Sequence, residues 1–277
     1  MGDYWVDYTT LCDEESGKFV RAAFKKGPLK AILFQIDKCL LVPFDSLLPG
    51  YIYGGLVGKS TKQAASSLLQ CVSNFSMIRL DFRKFYEQIT SERVFRFFYH
   101  KCGCKLKFAR FAADVCCVNA GPKNAPLEEK CLARGFSPST RLSVWCNLEF
   151  FFNLKRLVTK TLASKTNPRI MIWIDDIGIT ARNVTELEMK VLFEKIVVLA
   201  EKYGLEIHSG KSGVLNCADA KELLGLRLHK NSIAINATKS IRLDVLKDID
   251  RLKLPQFRQY FEAKYNNLLK YKHRAVR

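Results

Sequence analysis

The sequence predicts an α+β fold built around a split βαβ sheet of the ferredoxin-like type, with helices packed on one face. Two β-branched runs, residues 170–174 and 177–180, flank a pair of aspartates and are typical of a strand–turn–strand hairpin. A separate strand-like run ends at Asp81, and helical patterns lie between and after these strands. The predicted order is therefore strand, helix, long helix, hairpin, helix and strand, which would bring Asp81 and the hairpin aspartates to one edge of the sheet.

Capping residues, apolar periodicity and turn residues predict the elements around these strands. In the first half these are an acidic start at residues 1–20, a basic amphipathic stretch up to residue 30, a glycine-rich loop at 53–60, a helix at 61–70, a helix capped by Ser91, and an irregular loop at 112–130 with Pro122 and Pro126. In the second half they are a turn at 135–140, a long apolar helix at about 141–162, a helix that stops at Gly204, a hairpin at 223–235, and a basic helical segment interrupted at Pro255.

The composition favours a nucleic-acid partner. The 277 residues are 48% hydrophobic, which is enough for a substantial core, and the formal net charge is +18. Such a charge points first to polyphosphate partners and second to an anionic membrane surface. The sequence has no apolar run of about 18 residues and no basic-then-apolar leader. We therefore expect no membrane partner, and we expect the protein to be cytoplasmic.

The ten cysteines form no Cys-x-x-Cys pair, so we expect reduced, mostly buried thiols. An alternative is a zinc site, although the spacing suits one poorly. Its candidate ligands are His100, Cys102, Cys104, Cys116 and Cys117.

Asp81, Asp175 and Asp176 are the candidate metal ligands and catalytic residues. Neighbouring carboxylates repel each other, so a cation is expected between or beside them. Three oxygen donors on two adjacent strands could bridge two divalent ions, Mg²⁺ first and Mn²⁺ as a substitute. The simpler alternative is a solvated Asp-Asp turn.

Six motifs in a fixed order resemble those of reverse transcriptases, and together they cover about residues 50–236. They are the loop 53–60, which looks like a His-Gly-Phe-x-x-Gly-x-Ser finger motif; Leu80–Ile89, the first palm motif; Arg134–Ser143, the Gly-to-Ser positioning motif; Trp173-Ile174-Asp175-Asp176, where the family has Tyr-x-Asp-Asp; Gly204–Lys211; and Leu223–Arg227, the Leu-Gly primer-grip hairpin.

The resemblance is closest to the bacterial branch that contains retron and phage-defence enzymes, because residues 135–143 fit the retron-type pattern without a gap. Three residues depart from the family pattern: Trp173 replaces a tyrosine, Arg134 a glutamine and Ser137 a proline. The retron Val-Thr-Gly signature is not visible near Gly225.

The resemblance implies a right-hand polymerase arrangement of fingers and palm, with a ferredoxin-like split βαβ palm and a short, basic helical thumb. The implied boundaries are 1–74 for the N-terminal segment and fingers, 75–220 for the palm with a finger insertion around 100–132, 221–238 for the primer-grip-like hairpin, and 239–277 for the thumb-like segment.

The implied activity is RNA-directed DNA polymerisation, with deoxynucleotides added to a primer. Lys211 would assist the leaving pyrophosphate, and an aromatic ring at Tyr86 would exclude a ribose 2′-hydroxyl. The other implied nucleotide contacts are Phe82, Lys59, Arg134 and Gly135, and the implied primer or template contacts are Trp173, Gly225 and Ser139.

The implied partners are an RNA template, for which a structured non-coding RNA is the expected form, the DNA product, dNTPs, and a partner protein or a second copy of the chain. Two alternatives remain open from the sequence. One is untemplated, terminal-transferase-like DNA synthesis on the same fold, and the other is an inactive palm that serves as an RNA-binding scaffold.

Overall fold

The structure is a computed structural model that describes residues 4–7, 18–121, 123, 129–162 and 167–235. The predicted thumb-like segment at 239–277, Pro255 and both prolines of the predicted loop at 112–130 lie outside the described residues. The boundaries drawn between fingers, palm, hairpin and thumb stay predictions.

Seven α-helices are present in the described part of the chain: α1 (Pro28–Gln35), α2 (Thr61–Ser66), α3 (Ser91–Arg96), α4 (Leu106–Cys116), α5 (Ser139–Cys146), α6 (Leu148–Leu162) and α7 (Glu186–Lys202). Two π-helical turns, Ile36–Leu41 and Phe97–Lys101, and a 3₁₀ helix, Val42–Leu47, extend them. The strands of the same part are β1 (Trp5–Asp7), β2 (Arg21–Ala23), β3 (Phe75–Asp81), β4 (Cys117–Asn119), β5 (Lys130–Leu132), β6 (Arg169–Trp173), β7 (Asp176–Arg182), β8 (Gly213–Leu215), β9 (Lys221–Leu223), β10 (Leu226–Leu228) and β11 (Ile233–Ile235).

The central sheet has four strands in the order β6-β7-β3-β8, and neighbouring strands are antiparallel. Helices α3 to α6 connect β3 to β6, and α7 connects β7 to β8. This order agrees with the predicted split βαβ arrangement. The two β-branched runs that predicted β6 and β7 suit these strands, because both strands are buried on both faces over most of their length.

Side chains alternate between the two faces of the sheet. On one face, Ile78 and Leu80 of β3 join Ile177 and Ile179 of β7 in the main core, with α6 and α7. On the other face, Met77 packs in a smaller cluster with α2 and the three-stranded sheet β9–β11. Asp81 lies two residues beyond Arg79 and four beyond Met77, so all three residues belong to this second face.

Helix α5 is tied to the segment before the glycine-rich loop by a buried ion network. Arg141 Nη1 lies 2.6 Å from Asp37 Oδ1, and Arg141 Nε lies 3.0 Å from Asp45 Oδ1. All three side chains are largely buried, so each charge depends on the others for its stabilisation.

Several predicted boundaries were wrong. The predicted helix at 141–162 is two helices, α5 and α6, because the chain turns at Asn147, whose side-chain amide donates to the Ser143 carbonyl at 2.8 Å. The N-cap of α3 is Thr90 rather than Ser91, since the Thr90 hydroxyl accepts from the Arg93 backbone. Helix α2 ends at Ser66, four residues early.

The prediction of an irregular loop at 112–130 was also wrong for those of its residues that the structure describes. Its start is the last turn of α4, and β4 follows and pairs with β5, Cys117 opposite Leu132. The predicted hairpin at 223–235 is part of a three-stranded sheet that begins at Lys221. The region up to residue 30 contains β2 and the start of α1 rather than one amphipathic stretch.

Candidate active site

Asp81 and Asp176 are direct partners in the register of β3 and β7. Trp173, the last residue of β6, is the partner of Asp176 on the other side. Strands β3 and β6 therefore end, and β7 begins, at the same end of the sheet. Two carboxylates lie opposite each other there. Directly opposed residues on antiparallel strands have Cβ atoms about 5 Å apart.

The hairpin turn between β6 and β7 consists of Ile174 and Asp175, because Asp176 already belongs to β7. The expectation that both aspartates form the turn was wrong by one residue. Ile174 has a φ of +59°, a backbone conformation that β-branched residues rarely adopt. Such strain persists only where the surrounding structure holds it, which is common at functional sites.

The glycine-rich loop packs on this turn. Ile172 of β6 donates its N–H to the carbonyl of Tyr51 at 2.9 Å, and the Tyr53 N–H donates to the carbonyl of Ile172 at 2.9 Å. A Cβ atom at Gly54 would lie 2.5 Å from the Ile174 nitrogen. Only glycine allows the loop to approach the turn this closely.

Burial, and to a smaller extent mutual repulsion, raises the pKa values of the hairpin carboxyls. The pKa of Asp175 is raised mainly by burial, with Asp81 contributing, while Arg134 and Lys18 oppose the shift. Burial and then Asp175 raise the pKa of Asp176 to about 6, against the opposing effects of Arg79 and Lys211.

The Arg79 side chain neutralises the negative charge of the carboxylates only in part. The Arg79 guanidinium lies 3.9 Å from Asp176 Oδ1, too far for a hydrogen bond. That carboxylate oxygen is buried and accepts no hydrogen bond from the described residues. A buried oxygen with unused lone pairs is a suitable donor to a divalent cation.

The donor set fits Mg²⁺ or Mn²⁺ because it consists of carboxylate oxygens that repel one another. Within the described ranges, no three His, Cys, Asp or Glu side chains are close enough together to form a complete metal site by themselves. This is compatible with Mg²⁺, which is usually held by one or two carboxylates together with water and substrate phosphates. The zinc alternative has no ligand set here, since its five candidate ligands are described and do not converge.

The segment before β8 holds the end of β3. The Asp81 N–H donates to Ser212 Oγ at 2.9 Å, and the Asp81 carbonyl accepts from the His208 N–H at 2.8 Å. The same turn carries Lys211, whose charge lowers the pKa of Asp176. The structure therefore brings Lys211 into the electrostatic environment of the carboxylates.

Tyr86 lies beside the carboxylates and is enclosed by other side chains. The guanidinium carbon of Arg134 lies 4.9 Å from the centre of the Tyr86 ring, and Arg134 Nη2 lies 3.0 Å from Glu87 Oε2. The Thr140 side chain lies near the Tyr86 hydroxyl and opposes the rise in its pKa. The pKa of Tyr86 is raised mainly by burial, with a smaller contribution from the charge of Asp175.

Two predicted nucleotide contacts occupy different environments. Lys59 Nζ lies 5.3 Å from the centre of the Tyr53 ring, next to the glycine-rich loop. Phe82 is only 3% exposed and stacks on Phe85, so its side chain belongs to the core and only its backbone could meet a nucleotide.

Two predicted primer or template contacts have structural roles. Ser139 is buried and donates its hydroxyl to the Ala133 carbonyl, which stabilises the turn before α5. Gly225 forms the turn between β9 and β10 together with Leu224; their φ values are +68° and +55°, as a tight two-residue hairpin requires. Trp173 is half-buried against the smaller apolar cluster.

The sequence reasoning missed five residues that surround the site: Lys18, Arg79, Glu87, Thr140 and Ser212. Arg79 had a signal in the sequence, because it precedes Asp81 by two positions on a strand and must share its face. The others are brought in by contacts between distant parts of the chain, for which a single sequence carries no signal.

Comparison with known proteins adds information about the fold. No protein-family model matches the chain, and no curated protein sequence matches it. Among solved structures, telomerase from Candida albicans, in complex with the TWJ fragment of telomeric RNA, aligns at a TM-score of 0.52 and 12% identity over 87% of this chain and 48% of that one. Apo telomerase from Candida tropicalis aligns at 0.51 and 12% identity over 75% and 41%. The fold is reverse-transcriptase-like.

The likeness to these telomerases concerns the fold and only part of their length. At 12% identity it shows the fold alone, and the chain spans less than half the length of these telomerases. None of the described helices is both long and apolar enough to span a membrane.

Proposed function

We propose that this protein is an RNA-directed DNA polymerase that adds dNTPs to a primer. The observation that carries the proposal is the register pairing of Asp81 with Asp176, with Asp175 in the adjoining turn. The reverse-transcriptase-like fold supports it, because the carboxylates lie at the end of the central sheet of that fold.

Together with water and the substrate phosphates, Asp81, Asp175 and Asp176 would hold two Mg²⁺ ions, with Mn²⁺ as a substitute. Bound there, the ions would lower the pKa of the primer 3′-hydroxyl and neutralise the charge on the leaving pyrophosphate. The buried Oδ1 of Asp176, which accepts no hydrogen bond from the described residues, and the raised pKa values of the hairpin carboxyls support this role.

Other residues would bind and orient the substrates. Lys211 would stabilise the pyrophosphate charge, since its ammonium already acts on Asp176. Lys59 and the backbone at Gly135 would contact the nucleotide, and the Tyr86 ring would meet the sugar. Trp173 and the hairpin at Gly225 would contact the primer terminus.

The proposed partners are an RNA template, the DNA product and dNTPs. One of the telomerases with this fold was solved with an RNA fragment, and the +18 charge of this chain suits such a partner. A structured RNA, a partner protein or a second copy of the chain would select the template. The retron or phage-defence branch and a cytoplasmic location remain predictions, and the branch is carried by the motif at residues 135–143 alone.

A primer-extension assay tests the proposal. The purified protein receives Mg²⁺, a primed RNA template and labelled dNTPs, beside the Asp175→Ala/Asp176→Ala double variant. Asp114→Ala is the matched control, because Asp114 is an exposed aspartate on α4 that pairs only with Lys130 among the described residues. We expect product from the wild type and the control, none from the double variant, and a product sequence complementary to the template.

Two outcomes would favour the alternatives. A carboxylate-dependent product unrelated to any template would indicate untemplated synthesis. Absence of product with any template, combined with retained RNA binding, would indicate an RNA-binding scaffold.

A further inference from the structure

The Tyr86 ring is held from several sides. The Arg134 guanidinium lies over it at 4.9 Å, Phe85 meets it edge-on at 6.2 Å with the ring planes at 77°, and the Thr140 side chain lies near its hydroxyl. A Cβ atom on Gly55 would collide with the Thr140 side chain, so the glycine-rich loop supports that residue in turn. The ring has little freedom to move.

Glu87 determines where the Arg134 guanidinium lies. Arg134 donates from Nε to Glu87 Oε1 at 3.3 Å and from Nη2 to Glu87 Oε2 at 3.0 Å. This two-pronged geometry fixes the plane of the guanidinium as well as its position. The side chains are 20% and 9% exposed, so solvent screens the pair only weakly.

The backbone of Arg134 is anchored as well. Its carbonyl accepts from the Arg21 N–H of β2 at 2.7 Å. The next residue, Gly135, has a φ of +102° and lies so close to β2 that a Cβ atom would be 2.5 Å from the Arg21 carbonyl oxygen. Both ends of Arg134 are therefore immobilised, the main chain by β2 and the guanidinium by Glu87.

We propose that Glu87 is a positioning residue for sugar selection, which acts through Arg134 to keep the Tyr86 ring rigid. The inference rests on the proposed polymerase function. A ring excludes a ribose 2′-hydroxyl only if it cannot move away, because a mobile ring would let the larger sugar enter. Glu87 itself contacts no substrate.

The test compares deoxynucleotide with ribonucleotide incorporation in Glu87→Gln and Arg134→Lys. Each variant keeps the approximate size of the side chain but loses the charge or the planar fork. We expect the ratio of kcat/KM for dNTP over rNTP to fall on the order of tenfold, through a lower KM for the ribonucleotide and with little change for the deoxynucleotide. Glu92→Gln, which breaks the exposed Glu92–Arg96 pair, is the matched control and should keep the ratio.

A double-mutant cycle separates positioning from general destabilisation. In a Tyr86→Ala background, Glu87→Gln should no longer change the ratio, because the ring on which it acts is gone. An unchanged ratio in the single variants, or an equal effect of Glu87→Gln without the ring, would overturn the proposal.

A second measurement, of the fluorine resonance of a labelled ring, does not require polymerase activity. With 3-fluorotyrosine at position 86, the fluorine resonance should shift and narrow in Glu87→Gln relative to the wild type and Glu92→Gln. An identical resonance in all three proteins would overturn the proposal that Glu87 keeps the Tyr86 ring rigid, even if no polymerase activity were found. A wild type without incorporation but with the expected resonance change would overturn only the proposed function.

Discussion

Asp81 and Asp176 face each other as register partners at the end of the antiparallel pair β3–β7. Like charges in this position destabilise a sheet. The sequence nevertheless places a third carboxylate, Asp175, in the adjoining turn, and burial together with this repulsion raises the pKa values of both hairpin aspartates. The arrangement opposes stability and favours cation binding.

Replacing Asp176 by asparagine is expected to stabilise the metal-free protein at neutral pH. The pKa of Asp176 is raised to about 6 in the folded state, whereas an unfolded aspartate has a value of about 3.9. Below pH ~4 both states carry the proton and the group contributes nothing. Between pH ~4 and ~6 the unfolded chain ionises first, so the destabilisation appears as the pH rises and is complete above ~6.

We therefore expect Asp176→Asn to raise the free energy of unfolding by about 1–3 kcal/mol at pH 7.5 and to leave it unchanged near pH 4. The measurement is thermal unfolding in chelator at both pH values. Added Mg²⁺ should raise Tm for the wild type and much less for the variant. A lower Tm for Asp176→Asn at pH 7.5 would contradict this account.

Gly54→Ala is expected to displace the carboxylate turn. The added methyl group would lie 2.5 Å from the Ile174 nitrogen and 2.9 Å from the Trp173 carbonyl carbon, so the backbone must shift. Incorporation should fall by roughly tenfold or more in single-turnover assays, because small misplacements of catalytic groups have large effects on rate. Gly50→Ala is the matched control, since nothing lies within 4 Å of its added Cβ. Equal rates for the two variants would show that the loop does not position the turn.

Asp37→Ala is expected to destabilise the fold through Arg141. The substitution removes the 2.6 Å contact and leaves a buried guanidinium with Asp45 alone. Loss of one partner from a buried ion network costs about 3 kcal/mol or more. Urea unfolding measures it, with Glu92→Ala as an exposed ion-pair control that should cost less than about 1 kcal/mol. Similar midpoints for both variants would contradict a buried network.

Thiol labelling should separate the described cysteines into two groups. Cys39, Cys71 and Cys217 are exposed and should react with iodoacetamide at pH 8. Cys131 is buried, and burial raises its pKa to about 12, so this thiol stays protonated and should react only after unfolding. Peptide mapping by mass spectrometry reads the pattern. Rapid labelling of Cys131 in the folded protein would contradict its burial.

The sequence predicts the sheet that carries the site because its signals are local. Apolar runs define β3, β6 and β7, and the hairpin connection forces the two latter strands to pair. Asp81 and Asp176 become neighbours as soon as β3 is placed beside β7, which the split βαβ order requires.

The surroundings of the site depend on contacts that periodicity does not encode. Arg134 meets Glu87 across 47 residues of chain, and β4 and β5 are three-residue strands too short to show alternation. Asn147 divides the predicted long helix through a single side-chain hydrogen bond. In each case one interaction, rather than a repeating pattern, decides the local structure.

β6 is an edge strand of the central sheet. It lies in an uninterrupted apolar run that extends from Ile170 to Ile174. Bare strand edges of this composition pair readily with copies of themselves and start aggregation. Tyr51 and Tyr53 occupy the backbone groups of Ile172 on that edge. Residues 51–53, which lead into the glycine-rich loop, thus also block self-association of the sheet, and a chain from which they are deleted should precipitate even if the rest of its sheet still folds.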